Sequence, residues 1–188
     1  MSDVRPSDTM RDLGVVQADA PLLHQPTRPF DLPAERDAAK QVLDELFAAA
    51  ARIAEVHPFA KGMGLAAPQI NIDRAAAIVQ PAEAGAHPIT LLNPRIVSHS
   101  AHEVDEQFEG CLSFFDVRGL VPRPLSITVE HTGLDGSITV VTYRQGLARL
   151  VHHEIDHLDG YLYSGRMRDG VAPISVAEYR QTGSAWSY

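Results

Sequence analysis

Cysteine is almost absent: Cys111 is the only one in 188 residues, so no disulfide can form within the chain, and that thiol must be buried filler, a reactive group or a metal ligand. Cations are in deficit, 16 Lys and Arg against 24 Asp and Glu. The formal net charge of -8 argues against a protein built to grip phosphate backbones, and no direct nucleic-acid binding is expected. Long apolar runs are missing too. The first residues carry Asp3, Arg5, Asp8, Arg11, Asp12 and Asp19, which leaves room for neither a signal peptide nor a membrane span, so a cytoplasmic location without a membrane partner is expected. No internal repeat or low-complexity linker interrupts the chain.

What is present is ordinary globular composition, 45% apolar and 21% charged, over a length that one hydrophobic core can serve. Residues 1–25 mix charge, proline and small side chains without periodicity, which predicts an irregular N-terminal arm holding no site residue; 26–188 predict a single catalytic domain. From Pro33 the apolar positions Ala39, Val42, Leu43, Leu46, Phe47, Ala50, Ile53 and Ala54 recur at helical spacing. They predict a long helix begun by Asp31 and Pro33 and closed by His57 and Pro58. The segment GMGLAAPQI at 62–70 has two glycines and a proline and reads as a loop.

Runs rich in branched residues at 75–80, 88–93, 95–103, 125–131 and 137–143 predict strands, the last two joined through Asp135-Gly136 as an antiparallel hairpin. A second helix is predicted from Gln145, with Leu147, Leu150, Val151, Ile155 and Leu158 as its buried stripe and Gly160 past its end. A third, short helix follows Pro173. Helix, many strands, then helix predicts an α+β domain: a central helix packed among small antiparallel β-sheets, with a long N-terminal helix.

Chemistry concentrates on the second helix. His153 and His157 stand at i and i+4, so both imidazoles leave one face about a turn apart and can grip one metal ion. Glu154, roughly 100° further around the axis, is placed to take a proton from a water at that ion without being a ligand itself. This His-Glu-x-x-His pattern is a signature of zinc hydrolases, whose catalytic sites use three protein ligands and one open position. The sequence offers three answers for the third ligand. The metzincin position holds Tyr163 in place of histidine; a thermolysin-like peptidase would use a downstream glutamate, here Glu178; and Cys111 would add a thiolate.

Three motifs in one order decide among them by resemblance. They are Gly62-Met63-Gly64-Leu65-Ala66-Ala67-Pro68-Gln69, then Glu109-Gly110-Cys111-Leu112-Ser113, then His153-Glu154-Ile155-Asp156-His157. Together they resemble the peptide deformylases over roughly 30–167. The resemblance implies a metal held by Cys111, His153 and His157, with catalytic Glu154, Gln69 and Leu112 around the reacting carbonyl. It implies one divalent metal ion, ferrous iron in the cell, with zinc, nickel or cobalt serving in the purified protein. Its implied substrates are the N-formylmethionyl ends of nascent peptides, met at the ribosome, and its products are formate and a free methionine amine. Gly62, Met63, Gly64, Glu109 and Arg118 are implied to contact the substrate, and Arg118 or Arg123 to pair with a buried acid such as Glu109. A deformylase-like protein that binds metal or a formylated peptide without turnover is the alternative from another class. Asp156 reads as a solvated helical residue, and Arg149 as a rim or surface residue of that helix. Phe114-Phe115-Asp116 departs from the family's usual proline and is expected to reshape one wall of the cleft.

Overall fold

The computed structural model describes residues 5–57, 59 and 62–183. Residues 1–4, Pro58 and 184–188, which belong to the expected arm, helix end and domain end, lie outside the described residues. Along the chain come α1 (Pro6–Asp12), α2 (Arg36–Val56), β1 (Met63–Ala66), β2 (Ala76–Gln80), β3 (Ile89–Leu92) and β4 (Arg95–His99). They are followed by β5 (Val104–Cys111), β6 (Phe114–Pro124), β7 (Ser126–Thr132), β8 (Ile138–Arg144), α3 (Gln145–Leu158), β9 (Ile174–Ser175) and α4 (Val176–Gln181). The strands form three antiparallel sheets, β1-β2-β3, β4-β7-β8 and β5-β6-β9. This is the α+β architecture that the order of elements predicts.

The sheet β1-β2-β3 is buried on both faces, and the strand period of two divides its side chains between the two long helices. Leu65, Ala76, Ile78 and Leu92 pack with Leu43, Leu46 and Ile53 of α2. Ala66, Ala77, Val79 and Leu91 pack with Val151, Ile155 and Leu158 of α3. The other side of α3 meets Ile127, Val129 and Tyr143 of β7 and β8. Each large apolar side chain so buried contributes about 1.5–3 kcal/mol, enough to fix the rotation of α3 about its axis. Gly160, in the left-handed region at φ 82°, follows the helix end as expected.

Four expectations change. Residues 32–35 form a turn and α2 begins at Arg36, because the N–H of Asp31 donates to the Glu35 carboxylate at 2.7 Å and ties that turn down. Half of the 62–70 loop is β1, stabilised by backbone pairing to β2 from Met63↔Gln80 to Ala66↔Ala77. The predicted 95–103 strand ends at His99, while β5 and β6, with Asp105, Glu106, Glu109, Arg118 and Arg123 breaking their apolar alternation, form the longest hairpin. Finally, the arm is not irregular among its described residues. Its α1 buries Met10, and Pro21–His24 form a 3-10 turn burying Leu23.

Candidate active site

Packing of the apolar stripe of α3 turns His153 and His157 toward the β5–β6 hairpin, their ring centroids 5.0 Å apart. Across from them Cys111 ends β5, pairing in register with Phe114 so that Leu112 and Ser113 make a two-residue turn. Its Sγ lies 3.2 Å from Nε2 of His157, and the donor atoms of Cys111, His153 and His157 all lie within 4.8 Å of one another. One sulfur and two imidazole nitrogens at that spacing fit a single borderline-soft divalent cation. Burial alone would raise the Cys111 thiol, but His157 and His153 outweigh it and bring it down to about 5, favouring the thiolate that metals take.

Behind the histidines lies a buried ion network. Arg123 donates to both oxygens of Glu109 at 2.9 Å, Arg149 donates to Oε1 at 2.7 Å, and Nδ1 of His153 lies 3.0 Å from Oε2. A carboxylate on Nδ1 fixes the ring and leaves Nε2 for the cluster, the usual support of a metal-binding histidine. Glu109 is therefore committed to protein partners through both oxygens. Burial works against its charge, yet Arg123 and His153 hold it well below the usual carboxylate range. Asp156 and Arg149 are not on the surface. They are 2% and 4% exposed, Asp156 accepting from Arg123 at 2.5 Å and Arg166 at 2.7 Å, and Arg149 reaching the Val121 carbonyl as well as Glu109.

Glu154 faces the cleft beside the cluster, with Gly64 of β1 against its carboxyl group. Its Oε2 is buried without a hydrogen-bond partner, and burial pushes the carboxyl up to about 7 although His153 and His157 pull it down. Gln69 sits on the 3-10 turn Ala67–Ile70, which Asn71 ends in the left-handed region at φ 63°. Its Oε1 accepts from the Ala66 N–H at 2.9 Å, and its Nε2 donates to Ser113 Oγ at 3.2 Å and approaches Cys111 Sγ at 3.5 Å. The amide is thus oriented with its donor toward the thiol.

These groups open into a cleft of about 300 Å³. Gly62, Met63, Gly64, Glu109, Leu112 and Arg118 line it. Arg118 donates to the Phe115 and Val117 carbonyls rather than to an acid, so Arg123 is the partner of Glu109. Phe115 is on the wall, in the segment whose departure from the family's proline marks it. His57, Phe59 and Tyr179 also line the cleft and carry no motif that would have singled them out, whereas Arg149 could have been found as i-4 from His153 on the same buried face. Glu178 lies away from the cluster, its carboxylate capping α4 by accepting from Ser175. Tyr163, at the metzincin position, stacks on His153 with ring centroids 6.2 Å apart. Among the described residues no helix is long and apolar enough to cross a membrane.

Two imidazoles and a thiolate on one centre, with a carboxyl beside them and an amide donor opposite, define a metal-dependent hydrolase. The family model for polypeptide deformylase matches residues 13–171. The chain belongs to the peptide deformylase family, hydrolases that remove the formyl group from nascent peptides with the help of a metal ion. Peptide deformylase 2 of Nostoc sp. is 36% identical over 149 residues, 76% of this chain and 79% of the relative. The peptide deformylase of Chloroflexus aurantiacus is 39% identical over 166 residues, 80% and 82% of the two chains. Among solved structures, the Met-Ala-Ser-bound class I type b peptide deformylase of Acinetobacter baumannii superposes with a TM-score of 0.71 at 28% identity, covering 89% of this chain and 100% of that one. Peptide deformylase 1B of Arabidopsis thaliana gives 0.72 at 30% identity, covering 84% and 82%.

Proposed function

We propose that this chain deformylates N-formylmethionyl peptides at the Cys111, His153 and His157 centre, with Glu154 as the general base and acid. The observation that carries this reading is the Cys111 sulfur brought into ligand range of both histidines beside Glu154, whose buried Oε2 has no hydrogen-bond partner. Cys111, His153 and His157 would hold one divalent ion, ferrous iron in the cell, with zinc, nickel or cobalt serving in the purified protein. When bound, that ion supplies Lewis acidity and lowers the pKa of water toward neutrality.

Glu154 takes the proton from the attacking water and returns it to the departing amine, a task for which a carboxyl near 7 is matched at neutral pH. Negative charge gathers on the formyl oxygen as the carbon becomes tetrahedral. The Gln69 Nε2 and the Leu112 N–H stabilise it, each worth about 3 kcal/mol by comparison with other oxyanion holes. Glu109, through its bond to Nδ1, orients His153, and Arg123 and Arg149 keep Glu109 charged. Gly62, Met63 and Gly64 offer backbone to an extended peptide, and Arg118 borders the part of the cleft that follows methionine. The substrates are nascent chains in the cytoplasm, met at the ribosome.

The test is formate release from formyl-Met-Ala-Ser by protein loaded anaerobically with Fe(II), or aerobically with Ni(II), beside Glu154→Ala. Release that disappears in the variant while metal is retained supports the assignment. Release that persists, or none from loaded wild type, overturns it.

A further inference from the structure

Nothing in that mechanism uses the N-terminal arm, yet the arm bonds the carriers of both proposed oxyanion donors. The N–H of Val15 donates to the Met10 carbonyl at 3.0 Å, and both side chains are 1% exposed in the core, so this stretch is anchored. From there the N–H of Val16 donates to the backbone carbonyl of Gln69 at 2.9 Å. The Gln17 Nε2 donates to the Leu112 carbonyl at 3.4 Å and to the Val15 carbonyl at 3.0 Å. At the far end of α1, Ser7 clamps the same hairpin, its N–H and hydroxyl donating to the Asp116 carboxylate at 2.9 and 2.5 Å.

Gln69 lies on a 3-10 turn after β1, and Leu112 on the two-residue turn between β5 and β6, elements of two different sheets. Two donors can share one oxyanion only if their turns keep a fixed separation, and such donors act through being held in place before the charge develops. We propose that Gln17 is a positioning residue for deformylation: with the Val16 N–H beside it, its carboxamide locks the Leu112 turn to the Gln69 turn so that the two donors converge. This rests on the deformylase reading. Gln17 touches neither Cys111 nor the histidines, so its loss leaves metal binding and ground-state peptide binding in place and weakens the contact made as the oxyanion forms.

The experiment compares wild type, Gln17→Met, Asp116→Ala and the double variant, all loaded with Ni(II). It reads kcat and KM on formyl-Met-Ala-Ser, the pH profile, metal content and thermal midpoint. Gln17→Met is nearly isosteric and lacks the donor. It should lower kcat about tenfold with KM within about twofold, the pattern of a contact made only in the transition state. Metal content and the pH profile should stay as in the wild type. Asp116→Ala, which frees the other end of the arm, should lower kcat less, and the double variant should fall short of the product of the two effects. A folded, metal-loaded Gln17→Met with wild-type kcat, or one altered only in KM, overturns the proposal. Should Gln17→Met fail to fold, Asp116→Ala decides in the same way. Wild type that releases no formate overturns the deformylase reading and this inference together, so the two failures are distinguishable.

Discussion

Gly64 and Glu154 occupy touching space: a β-carbon on Gly64 would overlap the carboxyl group of Glu154. The glycine in β1 is therefore what lets α3 sit this close to the strand. Gly64→Ala is expected to drive the carboxyl out of place and lower kcat on formyl-Met-Ala-Ser by about 100-fold or more, the scale of a lost general base. Metal content, set by residues the substitution does not touch, should not change. Wild-type turnover in the variant would show that Glu154 has room to spare.

Glu109→Gln removes a charge that meets Arg123, Arg149 and His153 in a setting where the Glu109 and Arg123 side chains are each 2% exposed. Arg123 would keep only Asp156 and Arg149 only the more distant Asp105, and breaking these buried pairs should cost about 3–5 kcal/mol in denaturant unfolding. The loosened His153 should weaken metal affinity by about 10–100-fold in a chelator competition. A stable variant with unchanged affinity would remove Glu109 from its supporting role.

Cys111 and Glu178 make opposite predictions. Cys111→Ala should purify without its metal, since a third ligand is lost. Glu178→Ala should keep metal and turnover and lose little stability, because its carboxylate serves only as the exposed capping partner of Ser175. Metal retained by the cysteine variant and lost by the glutamate variant would restore the thermolysin-like alternative.

Acid should act partly through Glu35, which Arg74 and the Asp31 N–H hold at about 2, below its ordinary 4.5. A depressed carboxylate stabilises the fold above its unfolded pKa and loses that contribution as pH falls through the folded one. The wild-type thermal midpoint is therefore expected to fall between about pH 4.5 and 2 more steeply than that of Glu35→Gln. Parallel curves would mean that the pair adds nothing to acid resistance.

The parts of the site that local spacing can express were legible in the sequence. His153, Glu154 and His157 follow from helix periodicity, and the stripe from Leu147 to Leu158 gives the face that must be buried. Cys111 needed the surrounding motif, because nothing local tells a ligand from a buried thiol. Asp156 and Arg149 were misplaced because their partners, Arg123 and Glu109, lie on other elements, and an unpaired charge on a helix belongs in water. The same holds for β5 and β6, where Glu109 and Arg123 are buried and paired with each other, which hides the alternation that marks a strand. The arm escaped because its contribution is made largely through backbone groups, as in the bond from Val16 to Gln69, which leave no trace in residue type.

The ion network and Glu154 answer differently to mutational drift. Arg123, Glu109 and Asp156 tie α3 to the β5–β6 hairpin, so loss of any one of them alone would destabilise the fold whether or not catalysis is kept. Glu154 returns nothing of that kind: its Oε2 is buried with no hydrogen-bond partner, and its replacement by an uncharged side chain would relieve the desolvation of a carboxylate. In a family containing both working enzymes and retired copies, this one carboxyl is the marker by which an inactive descendant would be recognised.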